Sequence, residues 1–476
     1  MRASAAILAA VLAATSLAAD TIHLKNGRTI VADNIREKDG RVQYDIGDST
    51  YAIPKSLVER IEIGGALPEL AASASNADPA HAKKPEMAIN LGASVTGADK
   101  LTAQIIHDGK VEVDALDTIE REGDKDKSAA AYFIAGRYEF DNGNREQGRS
   151  YLQHALSLEP DNPVLLTQYA AVLVQLSHLR EGIENAERAS QLAPDSADAW
   201  AVLGFAYFSA DRSRDAIPAW QKSLDLRPDD GLRRYLARAQ REVKAEADYS
   251  QTDTGQFTIR YEGSATSPAL RQQIQDALDS DYNQLMSALG IVPRNPIPVI
   301  LYTDQAFFDV TQAPSWTAAL NDGKLRIPIN GLAGITPELD KVLRHELTHS
   351  FINQAARGRC PQWLNEGFAM LMEGRSLGSH GARLASLFQM QKQISLNALE
   401  GSFMTFTGAE ALLAYDESLA ATQYLNDTYG METLRRIVDG IGSGYSPEAA
   451  LRNETHGGYA ELERNIGTYL AQKYGN

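Results

Sequence analysis

Apolar positions change their spacing several times along the chain, and each change predicts a different unit. Behind Arg2, residues 3–14 form a continuous Ala-rich apolar run that ends in Ser16-Leu17-Ala18-Ala19. A positive start, a short apolar run and a small-residue close predict a secretory signal, residues 1–19, cleaved after Ala18 or Ala19. The run is short for a span of about 20 residues. Residues 20–63 carry brief alternating pieces (Ile22 and Leu24, Ile30, Val42 and Tyr44, Tyr51 and Ile53, Val58, Ile61 and Ile63) punctuated by Asn26-Gly27, Asp39-Gly40 and Gly47-Asp48. Alternation broken by Asn-Gly and Asp-Gly predicts a small antiparallel β module of four or five strands. Residues 64–95 lose all periodicity and read as a linker. Residues 91–126 are ambiguous and are expected to open the next helical unit.

Helical spacing then sets in with an internal period. Pro160, Pro194 and Pro228 stand 34 residues apart, each followed by Asp, and each preceded by a similar helical end: 155–158, 189–192 and 223–226. The clearest copy carries Trp200, Leu203, Gly204, Tyr207, Ala216, Trp220 and Ser223; the copy before it has Leu166, Ala170, Leu173, Gly182 and Ala189, and the first Tyr132, Gly136, Gly148, Leu152 and Ala155. This 34-residue period resembles the tetratricopeptide repeat, which implies stacked helix pairs over 127–247, about three of them, with 232–247 as a capping helix. Such an array offers a groove for a protein partner or a peptide. A spacer that holds the next unit in place is an equal reading.

From 255 to 476 the pattern is mixed. Phe257, Ile259 and Tyr261 alternate; 267–290 has helical spacing; 297–301 is a short, largely β-branched run whose Pro298 suits an edge strand; Leu325, Ile327 and Ile329 alternate after Asn321-Asp322-Gly323. Everything beyond Pro337 reads as mostly helical, with that Pro in a first turn. A small mixed sheet followed by a helical half predicts an α+β unit, and the whole chain a multidomain α+β protein.

Chemistry concentrates at His345-Glu346-Leu347-Thr348-His349. Two His four apart on a helix leave one face, about 40° from each other, and can grip one ion. Glu346, about 100° round from His345, can reach water bound there. This is the H-E-x-x-H zinc motif. A third ligand must come from elsewhere while one position stays open for water. Glu366, in Trp363-Leu364-Asn365-Glu366-Gly367-Phe368-Ala369, is the best candidate: Arg357-Gly358-Arg359 closes the first helix, Pro361 precedes a second, and an antiparallel pair would bring Glu366 back. Glu373 and His380 are weaker candidates. Trp363 and Phe368 read as core anchors, and Cys360, the single cysteine, as a small buried hydrophobe.

The stretch from about 325 to 374 resembles the gluzincin metallopeptidases, whose second helix carries W-L-x-E-G-x-A. The resemblance implies that His345, His349 and Glu366 bind one zinc and that Glu346 is the general base. It implies that the strand 325–329 is an edge that holds an extended peptide, and that a Tyr or His of the helical half stabilises the oxyanion, with Tyr415 as candidate. Some gluzincins place an Asp four residues after the Glu ligand; here Met370 stands there, so the partner that orients a ligand must be another group, with Asp340, Asp416 or a backbone carbonyl as options. The stretch 330–334 lacks an amino-terminus-binding G-x-M-E-N motif, which favours an endopeptidase.

Composition narrows the remaining choices. A net charge of −16 disfavours nucleic acid and anionic membranes as partners. One cysteine excludes an intrachain disulfide and a Cys-rich metal module. The resulting expectation is a secreted or periplasmic zinc metallopeptidase acting on proteins or peptides, with a protein partner at the repeats and no stable membrane insertion. Two alternatives stay open: a catalytically inactive repeat scaffold with a metal-binding domain, and a zinc hydrolase of a non-peptide bond. Co²⁺ or Mn²⁺ fit the same ligands.

Overall fold

The computed structural model describes residues 18–24, 29–38, 40–46, 49–55, 58–66, 98–142, 144–263, 266–312, 319–329, 332–378, 380–403, 406 and 408–475. The expected signal segment, apart from Ala18 and Ala19, and most of the expected linker lie outside them. Alternation in the first unit gives five strands: β1 (Ala18–Leu24), β2 (Thr29–Lys38), β3 (Arg41–Ile46), β4 (Ser49–Pro54) and β5 (Val58–Ala66). They form one antiparallel sheet in the order β4-β3-β2-β1-β5. Its core is Ile22, Val42 and Tyr44, with Ile35, Ile53, Val58 and Ile61 packed against them.

The described part of the ambiguous stretch, from residue 98 on, is helical on either side of a hairpin: α1 (Ala98–Ile105), β6 (Ile106–His107) with β7 (Lys110–Val111), and α2 (Val113–Arg121). Leu101, Ile105, Leu116 and Ile119 bury against the first repeat. Three antiparallel pairs follow: α3 (Lys125–Asp141) with α4 (Arg145–Leu158), α5 (Pro163–Gln175) with α6 (Leu179–Leu192), and α7 (Ala197–Ser209) with α8 (Ser213–Leu226). Small residues set the approach within a pair: a Cβ on Gly148 would lie 2.7 Å from the Gly136 carbonyl oxygen. In the last pair a large residue of α8 fills the space against α7. Trp220 is fully buried, with Phe205 and Phe208 rings 5.2 and 5.3 Å away and its indole N–H donated to the Ala201 carbonyl. The last helix, α9 (Asp230–Ala245), is N-capped by Asp229.

A second sheet then forms in the order β11-β12-β10-β9-β8, from β8 (Tyr249–Asp253), β9 (Phe257–Glu262), β10 (Ile297–Tyr302), β11 (Leu320–Asn321) and β12 (Leu325–Pro328). It begins six residues before the expected boundary at 255, because β8 is polar and exposed and carries no apolar signal. β10 is the central strand, parallel to both β9 and β12, and not an edge. Pro298 is tolerated there because N–H groups alternate along a strand. The Ile297 N–H points to Gln256 on the β9 side, so Pro298 faces the β12 side, where pairing starts only at Val299. Nor is β12 a free edge: β11 pairs with it, Leu320 opposite Arg326 and Asn321 opposite Leu325.

Both faces of this sheet are covered. Ile297, Val299, Leu301, Leu325 and Ile327 share a core with α10 (Pro268–Leu289) and α12 (Pro337–Ala355). Ile300 and Tyr302 face α11 (Asp304–Thr311) and Ala245 at the end of α9. The helical half comprises α13 (Gln362–Met372), α14 (His380–Gln389), α15 (Gly408–Tyr429), α16 (Met431–Ser443), α17 (Pro447–Thr455) and α18 (Tyr459–Tyr474). Among the described residues no helix is long and apolar enough to cross a membrane.

Two carboxylates pin the connection from α14 to the turn at Ala398–Glu400: Glu417 accepts the Ile394 N–H at 3.0 Å and Glu463 the Leu396 N–H at 2.8 Å. Burial, with Glu463 and Asp416 nearby, pushes the Glu417 carboxyl up to about 8 despite the Ile394 hydrogen bond. The folded protein then keeps a proton that the unfolded chain releases near the ordinary value of 4.5. Stability from this group therefore falls as pH rises between those values, by an amount on the order of a few kcal/mol. Calorimetry near pH 5 and near pH 9 should show wild type losing roughly several degrees more than Glu417→Gln on the alkaline side. Equal losses in the two proteins would contradict this reading.

Candidate metal centre

Thr336 starts α12 with a side-chain cap to the Leu339 N–H, and Pro337 occupies its first turn. The helix stops after Ala355 because Arg357 and Gly358 turn left-handed, with φ of 52° and 72°. Pro361 then caps α13, which returns beside α12 with Trp363, Leu364 and Phe368 buried. This is the antiparallel pair expected from the sequence. On its other side α13 meets α15: a Cβ on Gly367 would lie 2.5 Å from the Ser418 carbonyl oxygen and overlap the Thr422 hydroxyl.

The pairing brings His345, His349 and Glu366 together, with one donor atom from each lying within 4.8 Å of the others. They are the one such His and carboxylate group among the described residues. Glu366 Oε2 lies 3.4 Å from His345 Nε2 and 3.7 Å from His349 Nε2. Two ligands about 2.1 Å from a tetrahedral ion stand about 3.4 Å apart, so these separations suit a zinc-sized cation. Glu366 Oε2 is buried and has no hydrogen-bond partner among the described residues, while Oε1 accepts from Gln362 Nε2 at 2.7 Å. The donor set therefore fits the ion that the sequence motif implies.

Burial pushes the Glu346 carboxyl up to about 7; Glu366 and Glu373 add to the rise and His345 opposes it. Burial works against a charge on His345, but Glu373 and Glu366 outweigh it and raise its pKa. His349 is lowered, by burial first. Glu366 is held below the usual carboxylate range because the two imidazoles outweigh its burial.

The weaker ligand candidates have other partners. Glu373, just past α13, sits 3.0 Å from His345 Nδ1 on the far side of the ring, and its other oxygen pairs with Arg375 at 2.7 Å. It therefore stands against His345 where Asp340, Asp416 or a carbonyl is the expected partner. The sequence signal was a Glu seven residues after Glu366, two helical turns along the same face. His380 pairs through Nδ1 with Asp416 at 3.1 Å. Tyr415, next to Asp416 on α15, packs edge-on against Phe403, 5.5 Å between centroids. Cys360 packs against the core, where burial pushes its thiol up.

Residues 277–471 match the Peptidase MA superfamily and residues 129–162 a tetratricopeptide repeat. Among curated proteins the chain is similar to small glutamine-rich tetratricopeptide repeat-containing protein 2 of Mycosarcoma maydis, 29% identical over 100 residues, 21% of this chain and 28% of the relative. It is also similar to the Hsp70-Hsp90 organizing protein of Triticum aestivum, 30% identical over 116 residues, 24% of this chain and 19% of the relative. The chain spans under a third of the length of these curated relatives. Among solved structures, the Sgt2 TPR domain from Aspergillus fumigatus is 21% identical, with 31% of this chain and 93% of that one covered and a TM-score of 0.23. Family matches and fold agree on the architecture: tetratricopeptide repeats followed by a domain of the Peptidase MA type.

Because Gly367 lets α13 approach α15, Gly367→Ala should force the helices apart and lower stability by about 1–3 kcal/mol or more. It should also weaken metal binding, since Glu366 precedes it. Thermal melting and a zinc competition titration check both; wild-type values in the two would contradict the packing described.

Proposed function

We propose that this chain is an exported zinc metallopeptidase that cleaves internal peptide bonds of protein substrates, with its repeats engaging the substrate or a protein partner. The observation that carries the reading is the convergence of His345, His349 and Glu366, with the buried Glu346 beside them, inside a region that matches the Peptidase MA superfamily. Export rests on the N-terminal pattern alone. The matches to repeat proteins support a protein-binding role for the array.

His345, His349 and Glu366 would hold the metal, which when bound supplies an acidified water and a Lewis acid for the scissile carbonyl. Glu346 takes a proton from the attacking water and then delivers it to the leaving amine. Glu373 keeps His345 in the tautomer that presents Nε2. Tyr415, or His380 held by Asp416, donates a hydrogen bond to the oxyanion. Exclusion of bulk water by the buried walls strengthens each of these contacts.

Glu346→Gln should retain the metal and lose cleavage of casein or a peptide library by about a hundredfold or more. Glu373→Gln should bind zinc about ten- to a hundredfold more weakly. A Glu346→Gln protein that cleaves at the wild-type rate would overturn the assignment of the base. Zinc retained by a wild type that cleaves nothing would favour the scaffold reading.

A further inference from the structure

The contact between the repeats and the second sheet is unusual in its charge. From the repeat side come Asp211 and Ser213, with Arg238, Glu242 and Glu246 at α9 and its end. From the sheet side come Arg260, Tyr302, Asp322, Lys324 and Arg326. Arg326 has no exposed surface: its guanidinium meets Asp322 at 3.0 Å, the Tyr302 hydroxyl at 2.8 Å and Glu242 at 2.6 Å. Lys324 reaches Glu242 at 2.9 Å and Asp211 at 2.7 Å, and Arg260 pairs with Asp211 and Glu246 at 2.7 and 2.9 Å. Arg238 pairs with Asp322. Four carboxylates thus face four cations.

Exposed pairs such as Arg233–Asp230 contribute little to stability. Buried groups behave differently, because removing one leaves the others uncompensated in a poorly solvated site. The network therefore holds the β11–β12 turn, residues 321–324, in one position against α9.

The same turn touches the catalytic helix. Asn321 donates its amide to the Glu346 carbonyl at 2.6 Å and to the Ser350 hydroxyl at 2.7 Å, while its own carbonyl oxygen accepts the Gly323 N–H at 3.0 Å. Both ends of the Asn321 side chain are engaged. One shapes the turn; the other fixes α12 at the residue of the base itself. A second contact lies past the end of α12, where Arg357 pairs with Glu146 of α4 at 2.6 Å.

We propose that Arg238 of the repeat cap and Asn321 of β11 are positioning residues for Glu346, so that the last repeat helix is a working part of the peptidase unit. This rests on the peptidase reading above. Asn321 sets the distance between the outer edge of the sheet and the base, and Arg238, through Asp322, keeps Asn321 in place. Displacing α12 moves His345, Glu346 and His349 together.

The test uses full-length, zinc-loaded protein, with kcat and KM on a peptide that wild type cleaves, normalised to bound zinc. Asn321→Asp keeps the size and the turn but loses the donor; kcat should fall about tenfold with KM within about twofold. Arg238→Met should lower kcat in the same sense by about threefold, and Arg233→Met, on the exposed side of the same helix, should leave it unchanged. If Arg238→Met does not fold, Arg238→Lys, which loses the forked geometry, takes its place with the same expected direction. The visible spectrum of the cobalt-substituted protein should shift in Asn321→Asp, since both imidazoles ride on α12. Wild-type kcat per zinc and an unshifted cobalt spectrum in Asn321→Asp would overturn the proposal. Wild-type kcat in the Arg238 variant would overturn the part played by the repeats. Should wild type cleave nothing, the peptidase reading fails, and the cobalt spectrum alone decides the positioning claim.

Discussion

Everything at the candidate metal centre depends on α13 running back along α12. His345 and His349 share a face simply because they are four residues apart, but Glu366 lies 17 residues further on and reaches them only if the chain reverses tightly. The left-handed turn at Arg357 and Gly358 makes the reversal, and Trp363, Leu364 and Phe368 hold the returning helix by burial. Gly367 then admits α15 against the opposite side. A helix clamped on both flanks leaves the Glu366 carboxylate one place to be, 3.4 and 3.7 Å from the two imidazole nitrogens. A site for a metal needs this rigidity in its ligands.

A second constraint reaches the same helix from the repeats. Holding eight charged groups, four of them buried, between the repeats and the sheet is favourable only when every one of them is paired, and here they are. The consequence is mechanical: the repeat array is fused to the sheet through a contact that tolerates little displacement. The sheet takes α10 and α12 on one face, and α11 with the end of α9 on the other. The division into a repeat unit and a C-terminal unit, natural in the sequence, therefore passes through a shared layer of structure.

The readable parts of the chain were those with a strong local period. The 34-residue spacing of Pro160, Pro194 and Pro228 mapped onto three helix pairs, and the alternation from Ile22 to Ile63 onto five strands. The His345–His349 face and the Pro-bounded return to Glu366 were readable for the same reason. What escaped depended on long-range pairing. Pro298 argued for an edge, yet its missing N–H points where no partner is needed, which only the register of three strands reveals. β8 was invisible because a polar strand at a sheet edge has no apolar signal. Glu373 was read as a spare ligand, although its distance along α13 placed it behind His345 and not in front. The stretch 232–247 reads as a capping helix; the burial of its Arg238 and Glu242 follows from the sheet that packs on them.

The most direct test of the account is the metal stoichiometry of the full-length protein, measured by elemental analysis after dialysis, beside that of Glu366→Ala. The account predicts one zinc per chain in the wild type and loss of most of it in the variant, with the fold retained by circular dichroism. A wild type without a bound metal, or a variant that holds zinc as tightly as the wild type, would contradict the assignment of His345, His349 and Glu366 as one ligand set.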